Sequence, residues 1–259
     1  MKANKSKQIL KDGGTAIGTM VTDFRSPEVA AILASVGFDF FIIDNEHGAY
    51  DLETDHEIIR HARKVGIDCY VRVPDAQYHL IARTLDIGAE GVMVPRVEER
   101  GTVEEIVAAV KYPPLGRRGY GVRTIITERQ PVSMPEAIEF LNANTMAIIQ
   151  IETARAVENV ADLVSVPGVE VALIGPADLS VSLGVPGEFE HPKMVEAIQR
   201  VIDACGKAGV AAGAHLGSVE QLRFWHERGM RCLMCSTESA FMHSAARDCA
   251  SALHQIAGR

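Results

Sequence analysis

An alternation limits what this chain can fold into more than any other feature. Eight short apolar runs, of four to six residues each, take turns with longer amphipathic stretches along nearly the whole length. The runs cover residues 16–20, 40–43, 69–73, 91–94, 147–151, 169–174, 210–214 and 232–235. They are apolar on both faces, as strands of a parallel sheet covered by helices must be. The helical patterns lie at 27–36, 52–65, 78–87, 102–111, 153–164, 192–208, 219–228 and 239–257. Ser26-Pro27-Glu28 opens one of these, and Gly37, Gly66, Gly88 and Gly209 close others.

Eight βα units in 259 residues predict an α/β fold of one domain, residues 1–259, with the sheet closed into a (β/α)8 TIM barrel. An open doubly wound sheet is the alternative. It would carry a glycine-rich dinucleotide turn after the first strand, but Gly13-Gly14 precedes that strand and Gly18 lies inside it. One connection breaks the rhythm. Residues 112–144 contain Pro113-Pro114, Gly116-Arg117-Arg118-Gly119 and a short helical piece near 135–142. This connection follows the fourth helix, which in an ideal barrel puts it on the face opposite the active site.

Charge and cysteine usage exclude several classes. With 26 basic against 34 acidic residues the formal charge is -8, which disfavours a nucleic-acid partner. The one basic cluster, Lys2, Lys5, Lys7 and Lys11, is followed by Asp12-Gly13-Gly14 rather than the apolar core of a signal peptide. No apolar run approaches the roughly 18 residues of a membrane helix. The expectation is a cytoplasmic protein without membrane partners. The cysteines number five, an odd count suited to reduced thiols. Cys232 and Cys235 have the spacing of half a zinc site, but on a strand they face opposite ways, which makes them core thiols.

In a barrel enzyme the chemistry sits just past the C-terminal ends of the strands. Those positions hold Asp44-Asn45-Glu46-His47 after strand two and Arg72 at the end of strand three. Strand five ends in Gln150-Ile151-Glu152, and Gly175-Pro176-Ala177-Asp178 follows strand six. Gln150 and Glu152 are two apart and share a face. Each residue alone has a plain structural role: Asp178 as a helix cap, Glu152 as a first-turn acid, Arg72 in a salt bridge. Their convergence on one rim is what points to a site.

In the same order, Ile43-Asp44-Asn45-Glu46-His47, Val71-Arg72-Val73-Pro74, Val94-Pro95-Arg96-Val97, Tyr112-Pro113-Pro114-Leu115-Gly116-Arg117-Arg118-Gly119, Gln150-Ile151-Glu152-Thr153 and Gly175-Pro176-Ala177-Asp178-Leu179-Ser180 resemble the HpcH/HpaI aldolases. These are metal-dependent (class II) pyruvate aldolases, and the resemblance runs from about Ile17 to the C-terminus. It implies Glu152 and Asp178 as metal ligands, His47 oriented by Asp44 as the proton carrier, and Arg72 on the keto oxygen of pyruvate. It also implies Gln150, Gly175, Ala177 and Asp178 as the substrate-binding set, with the amides around Ala177-Asp178 on the carboxylate. The family exchanges its last helix between subunits and assembles as a homohexamer, and the 239–257 pattern is compatible with that.

Aldol cleavage of a 2-keto-4-hydroxy acid releases an aldehyde and leaves negative charge on the former keto oxygen. An enzyme meets that charge with a lysine imine or a cation. None of Lys2, Lys5, Lys7, Lys11, Lys64, Lys111, Lys193 or Lys207 lies at a predicted strand end, so the imine route has no candidate. Two carboxylate ligands suit Mg²⁺ or Mn²⁺, with Co²⁺ as a further possibility. The alternative function is a citrate-forming or acyl-CoA carbon–carbon lyase on the same barrel, for which no basic adenine-sized groove is evident. The third reading is a non-catalytic binding subunit. Two departures from the family stand out: Asn45, where glycine is common, and His215, a polar residue at the end of strand seven that is either an exposed loop histidine or an acceptor contact. Arg96, Arg117, Arg118 and Arg123 are candidates for a distal substrate carboxylate or, by preference, for salt bridges between subunits.

Overall fold

The structure is a computed structural model describing residues 1–259. A short helix α1 (Lys5–Lys11) leads into β1 (Ala16–Val21), α2 (Glu28–Ser35), β2 (Phe40–Asp44), α3 (Leu52–Val65) and β3 (Asp68–Arg72). Then come α4 (Tyr78–Asp86), β4 (Gly91–Val94), α5 (Arg100–Val110), α6 (Met134–Asn144) and β5 (Met146–Ile151). The chain continues through α7 (Ala154–Glu158), α8 (Val160–Val164), β6 (Val169–Ile174), α9 (Pro176–Ser182) and α10 (Pro192–Ala208). It ends with β7 (Ala211–Leu216), α11 (Val219–His226), β8 (Cys232–Thr237) and α12 (Glu238–Ile256). All eight strands are parallel and closed in sequence order, β8 pairing back onto β1. The expected barrel is therefore the fold.

Local chemistry explains the best-defined elements. In α3, Asp51 caps the helix by accepting from the Thr54 amide at 2.8 Å, and Gly66 ends it at φ 83°, a left-handed position that glycine reaches without steric cost. Its buried stripe, Ile58, Ile59 and Ala62, packs on the sheet. Inside the barrel Met20, Phe40, Ile42, Tyr70, Met93, Ile148, Leu173 and Met234 form the central core. Gly18 faces this interior, and a side chain there would strike the Phe40 ring. Cys232 joins that inner cluster while Cys235 packs outside, so the two thiols do face apart.

Three departures from the sequence reading have physical causes. The expected helix over 153–164 is two helices, because Asn159 leaves helical geometry at ψ 0° and spends its amide on the Glu98 carbonyl at 2.9 Å. Residues 176–182 form a helix of their own, with Asp178 in its first turn rather than at its cap. The terminal lysines lie in and beside α1, a helix that the periodicity did not predict, which closes the barrel's N-terminal end. There Lys2 pairs with Asp68 and Glu90, Ser6 donates to Asp68, and Lys7 reaches Glu170 at 2.7 Å. The 112–144 connection runs at this same end, with Lys111 bound to Glu170 and Arg118 to Asp86.

Helix α12 is different from the rest. Glu238 is its one buried residue, and Phe241, Met242, Leu253 and Ile256 are exposed. The outer wall of β1 is correspondingly bare at Ile17, which is 49% exposed. No helix is long and apolar enough to cross a membrane.

Candidate active site

The ends of β2, β3, β5 and β6 bring together most of the residues picked out at the strand ends. Asp44 and Arg72 are partners across adjacent strands, in register. Their side chains form a fork, Nε to Oδ1 at 2.8 Å and Nη2 to Oδ2 at 2.5 Å, with both groups nearly buried. Burial works against the Asp44 charge, yet the Arg72 bonds and the His47 and Glu46 amides hold its carboxyl below the usual range. Burial likewise opposes the guanidinium, and the Asp44 bonds outweigh it. This arginine is fixed in place and in charge.

Asp44 reaches His47 through the backbone, not the ring. Its Oδ1 accepts from the amides of Glu46 at 3.0 Å and His47 at 3.2 Å, which shapes the turn. The imidazole is 58% exposed and its Nε2 lies 3.9 Å from Glu46 Oε2. The expectation that Asp44 orients the imidazole becomes one that it positions the residue carrying it.

Gln150 and Glu152 are both buried and lie over Gly175. A Cβ at Gly175 would fall 2.5 Å from Glu152 Oε2 and 2.6 Å from Gln150 Nε2, so only glycine fits there. Glu152 Oε1 accepts the Arg96 amide at 2.7 Å, delivered by a residue at φ 53°. Burial, joined by the charges of Glu46 and Asp178, pushes Glu152 up to about 7. Asp178 and Ala177 are exposed in the first turn of α9, whose first intrahelical bond runs from Leu179 to Gly175. Their amides therefore have no backbone acceptor and are free for a ligand.

Glu46 is the residue that reasoning from strand ends passed over, although it stands within the Asp44–His47 motif. Its side chain is 6% exposed, and Oε2 lies 3.1 Å from Arg72 Nη1 without hydrogen-bonding geometry. Arg96 Nη2 holds the other oxygen at 2.9 Å. Around Glu152, four carboxylates (Asp44, Glu46, Glu152, Asp178) thus meet two guanidiniums, Arg72 and Arg96. Acid therefore exceeds base here, which favours a cation. Glu46 Oε2 and Gln150 Oε1 are also buried without a hydrogen-bond donor. No three His, Cys, Asp or Glu side chains close into a ready-made cage. The donors fit a hard ion that takes two carboxylates and fills its remaining positions with waters and substrate oxygens.

No lysine competes for this role. Lys111, which burial pushes down to about 8, sits at the opposite end with Nζ committed to Asn142 O, Thr145 O and Glu170. His215 lies within β7, not in a loop. Its Nε2 donates to the Ser236 carbonyl at 2.7 Å, and burial, with Arg72 nearby, lowers its pKa. Among the other arginines, Arg118 is committed within its own chain to Asp86 at 2.8 Å and to the Tyr112 ring, Arg117 pairs with Glu105, and Arg123 is exposed. For Arg118 this replaces both expected roles.

The structure is thus a parallel (β/α)8 barrel whose C-terminal rim gathers an arginine, a histidine and several carboxylates, the class of architecture in which barrel enzymes place their sites. Comparison with known proteins places it more narrowly. Residues 20–239 match the family model described as HpcH/HpaI aldolase/citrate lyase. The chain is 36% identical over 226 residues to the 4-hydroxy-2-oxovalerate aldolase of Rhodococcus jostii, covering 85% of this chain and 83% of the relative. It is 30% identical over 246 residues to the hydroxypyruvate/pyruvate aldolase of Delftia acidovorans, covering 95% and 91%. The crystal structure of an HpcH/HpaI aldolase from Desulfitobacterium hafniense superposes with a TM-score of 0.91 at 34% identity, covering 96% of both chains. The chain belongs to the HpcH/HpaI aldolase/citrate lyase family.

Proposed function

We propose that this protein is a class II pyruvate aldolase, reversibly cleaving a 2-keto-4-hydroxy acid to pyruvate and an aldehyde with the help of a divalent cation. The observation that carries this reading is the charge deficit around Glu152, at the mouth of a barrel of this family. Glu152 and Asp178 would hold the ion. When bound, it supplies a positive charge beside the keto oxygen, where negative charge develops as the carbon–carbon bond breaks. Mg²⁺ and Mn²⁺ fit the all-oxygen donor set best, with Co²⁺ next.

The chain's own residues supply the rest. Arg72, held rigid by Asp44, presents a permanent guanidinium to the same oxygen at no cost in reorganisation. The free amides of Ala177 and Asp178 receive the substrate carboxylate at a helix N-terminus. Gln150, packed against Gly175, lines the pyruvate side. His47, half exposed at the rim, takes the proton from the C4 hydroxyl in cleavage and returns it in synthesis, directly or through a water. The bare Ile17 wall and the exposed apolar residues of α12 support a homo-oligomer that exchanges this helix, the family's hexamer included. A monomer in light scattering would remove that part.

The test is exchange of pyruvate methyl protons in D₂O. Exchange should require Mg²⁺ or Mn²⁺ and vanish in Glu152→Ala. Exchange undiminished by EDTA would overturn the reading. A coenzyme A-dependent or citrate product from oxaloacetate would transfer the assignment to the citrate-forming members of the fold.

A further inference from the structure

The connection after β1 borders the mouth and is held from an unexpected direction. Three consecutive amides point at one carboxylate: Thr22 donates to Glu238 Oε1 at 3.0 Å, Asp23 at 2.7 Å and Phe24 at 2.8 Å. Such a run of amides is an anion nest, and Glu238, 5% exposed, fills it. The close partners of this carboxylate are those amides and the Thr22 hydroxyl at 3.5 Å.

A bulge re-aims the chain just before Glu238. Gly18 pairs with Met234 and Met20 with Thr237, so Cys235 and Ser236 together face Thr19. Ser236 sits at φ 55°, in the left-handed region, and is held there by two side chains. Thr19 Oγ1 donates to Cys235 O at 2.9 Å and to Ser236 O at 3.0 Å, and His215 Nε2 donates to the same Ser236 carbonyl at 2.7 Å. The β1 connection is in turn tied to the turn that carries His47. Tyr50 donates to the Phe24 carbonyl at 3.3 Å, and Arg25 donates to the Ala49 carbonyl.

We propose that Glu238 is a positioning residue: seated on the Thr22–Phe24 amides, it fixes the β1 connection and, through Tyr50 and Arg25, the placement of the His47 turn. This rests on the aldolase reading for its catalytic consequence, but the clamp itself does not. Glu238 touches neither substrate nor proton. It acts by holding other residues where the reaction needs them, and misplacing a reacting group by about 1 Å costs on the order of 10²-fold.

The experiment compares full-length wild type with Glu238→Ala and Glu238→Gln by amide hydrogen exchange and by aldol kinetics with pyruvate and glycolaldehyde. In Glu238→Ala, exchange at residues 22–24 and 47–50 should rise. The kcat should fall roughly 10- to 100-fold while KM for pyruvate stays within about threefold. Formate, an anion small enough for the emptied nest, should restore part of kcat and part of the protection, and chloride should not. Glu238→Gln, which keeps the shape, should move the same quantities by less, and it decides the matter if the alanine variant does not fold. Unchanged amide exchange at 22–24, or a loss that formate cannot relieve, overturns the proposal. A wild type without aldol activity defeats the aldolase reading instead, and amide exchange then judges the clamp alone.

Discussion

The two ends of this barrel handle buried charge in opposite ways. At the N-terminal end the buried acids are matched: Asp68 and Glu90 by Lys2 and Arg63, and the half-buried Glu170 by Lys7 and Lys111. At the C-terminal end, buried Asp44, Glu46 and Glu152, with the exposed Asp178 beside them, share two guanidiniums. Burying a charge is tolerable when it is paired and costly when it is not. One end is therefore a network of paired charges, and the other carries more acid than base. Conserving a barrel while changing its rim is how this fold type accommodates different chemistries.

Substitutions at each end should behave differently. The largest effect on folding belongs to the closed end. Asp68→Ala leaves the buried Lys2 ammonium with Glu90 alone and the Ser6 amide without its acceptor, and should destabilise the protein by about 3 kcal/mol in urea unfolding. Cation binding in the folded fraction should not change. At the mouth, Glu152→Gln should lower kcat by roughly 10²–10³ or more. It should also leave the metal-free protein no less stable than wild type in thermal unfolding, because it removes excess charge. A loss of stability there would break the contrast between the two ends. Gly175→Ala pushes a methyl into Gln150 and Glu152 and should reduce kcat by about 10- to 100-fold with far-UV circular dichroism unchanged.

A smaller effect separates the mouth from the layer behind it. Burial, partly offset by the Asn45 hydrogen bond, pushes Asp55 up to about 6. The fold therefore holds this proton more tightly than the unfolded chain does. The associated stability is complete below about pH 4 and is lost as pH rises through about 6. Asp55→Asn should match wild type near pH 4 and exceed it by about 1–3 kcal/mol at pH 8 in urea titrations at both values. The smallest effect is expected for Arg117→Ala, whose exposed pair with Glu105 is worth about 1 kcal/mol or less by the same measurement.

The barrel was legible in the sequence because strand and helix periods recur where both faces or one stripe must be buried. The helices 52–65 and 192–208 match residue for residue, each ended by a left-handed glycine. The gathering of Asp44, Arg72, Gln150, Glu152 and Asp178 at one rim was legible from the strand ends. What lay hidden depends on contacts between distant segments. Nothing local marks Lys2 as the partner of Glu90, or Glu238 as the acceptor for three amides more than two hundred residues earlier. Glu46 stands in the Asp44–His47 motif without a role that the sequence assigns, and its contacts with Arg72 and Arg96 emerge only in the fold. The split at Asn159 is similar, since the Glu98 carbonyl that captures it belongs to another element.

The most direct measurement is equilibrium dialysis of Mn²⁺ in the presence of pyruvate. One ion per chain should bind to wild type, and neither Glu152→Gln nor Asp178→Asn should retain it, while Asp68→Asn binds normally. Undiminished Mn²⁺ binding in both mouth variants would contradict the claim that the unpaired charge at this rim exists to receive a cation.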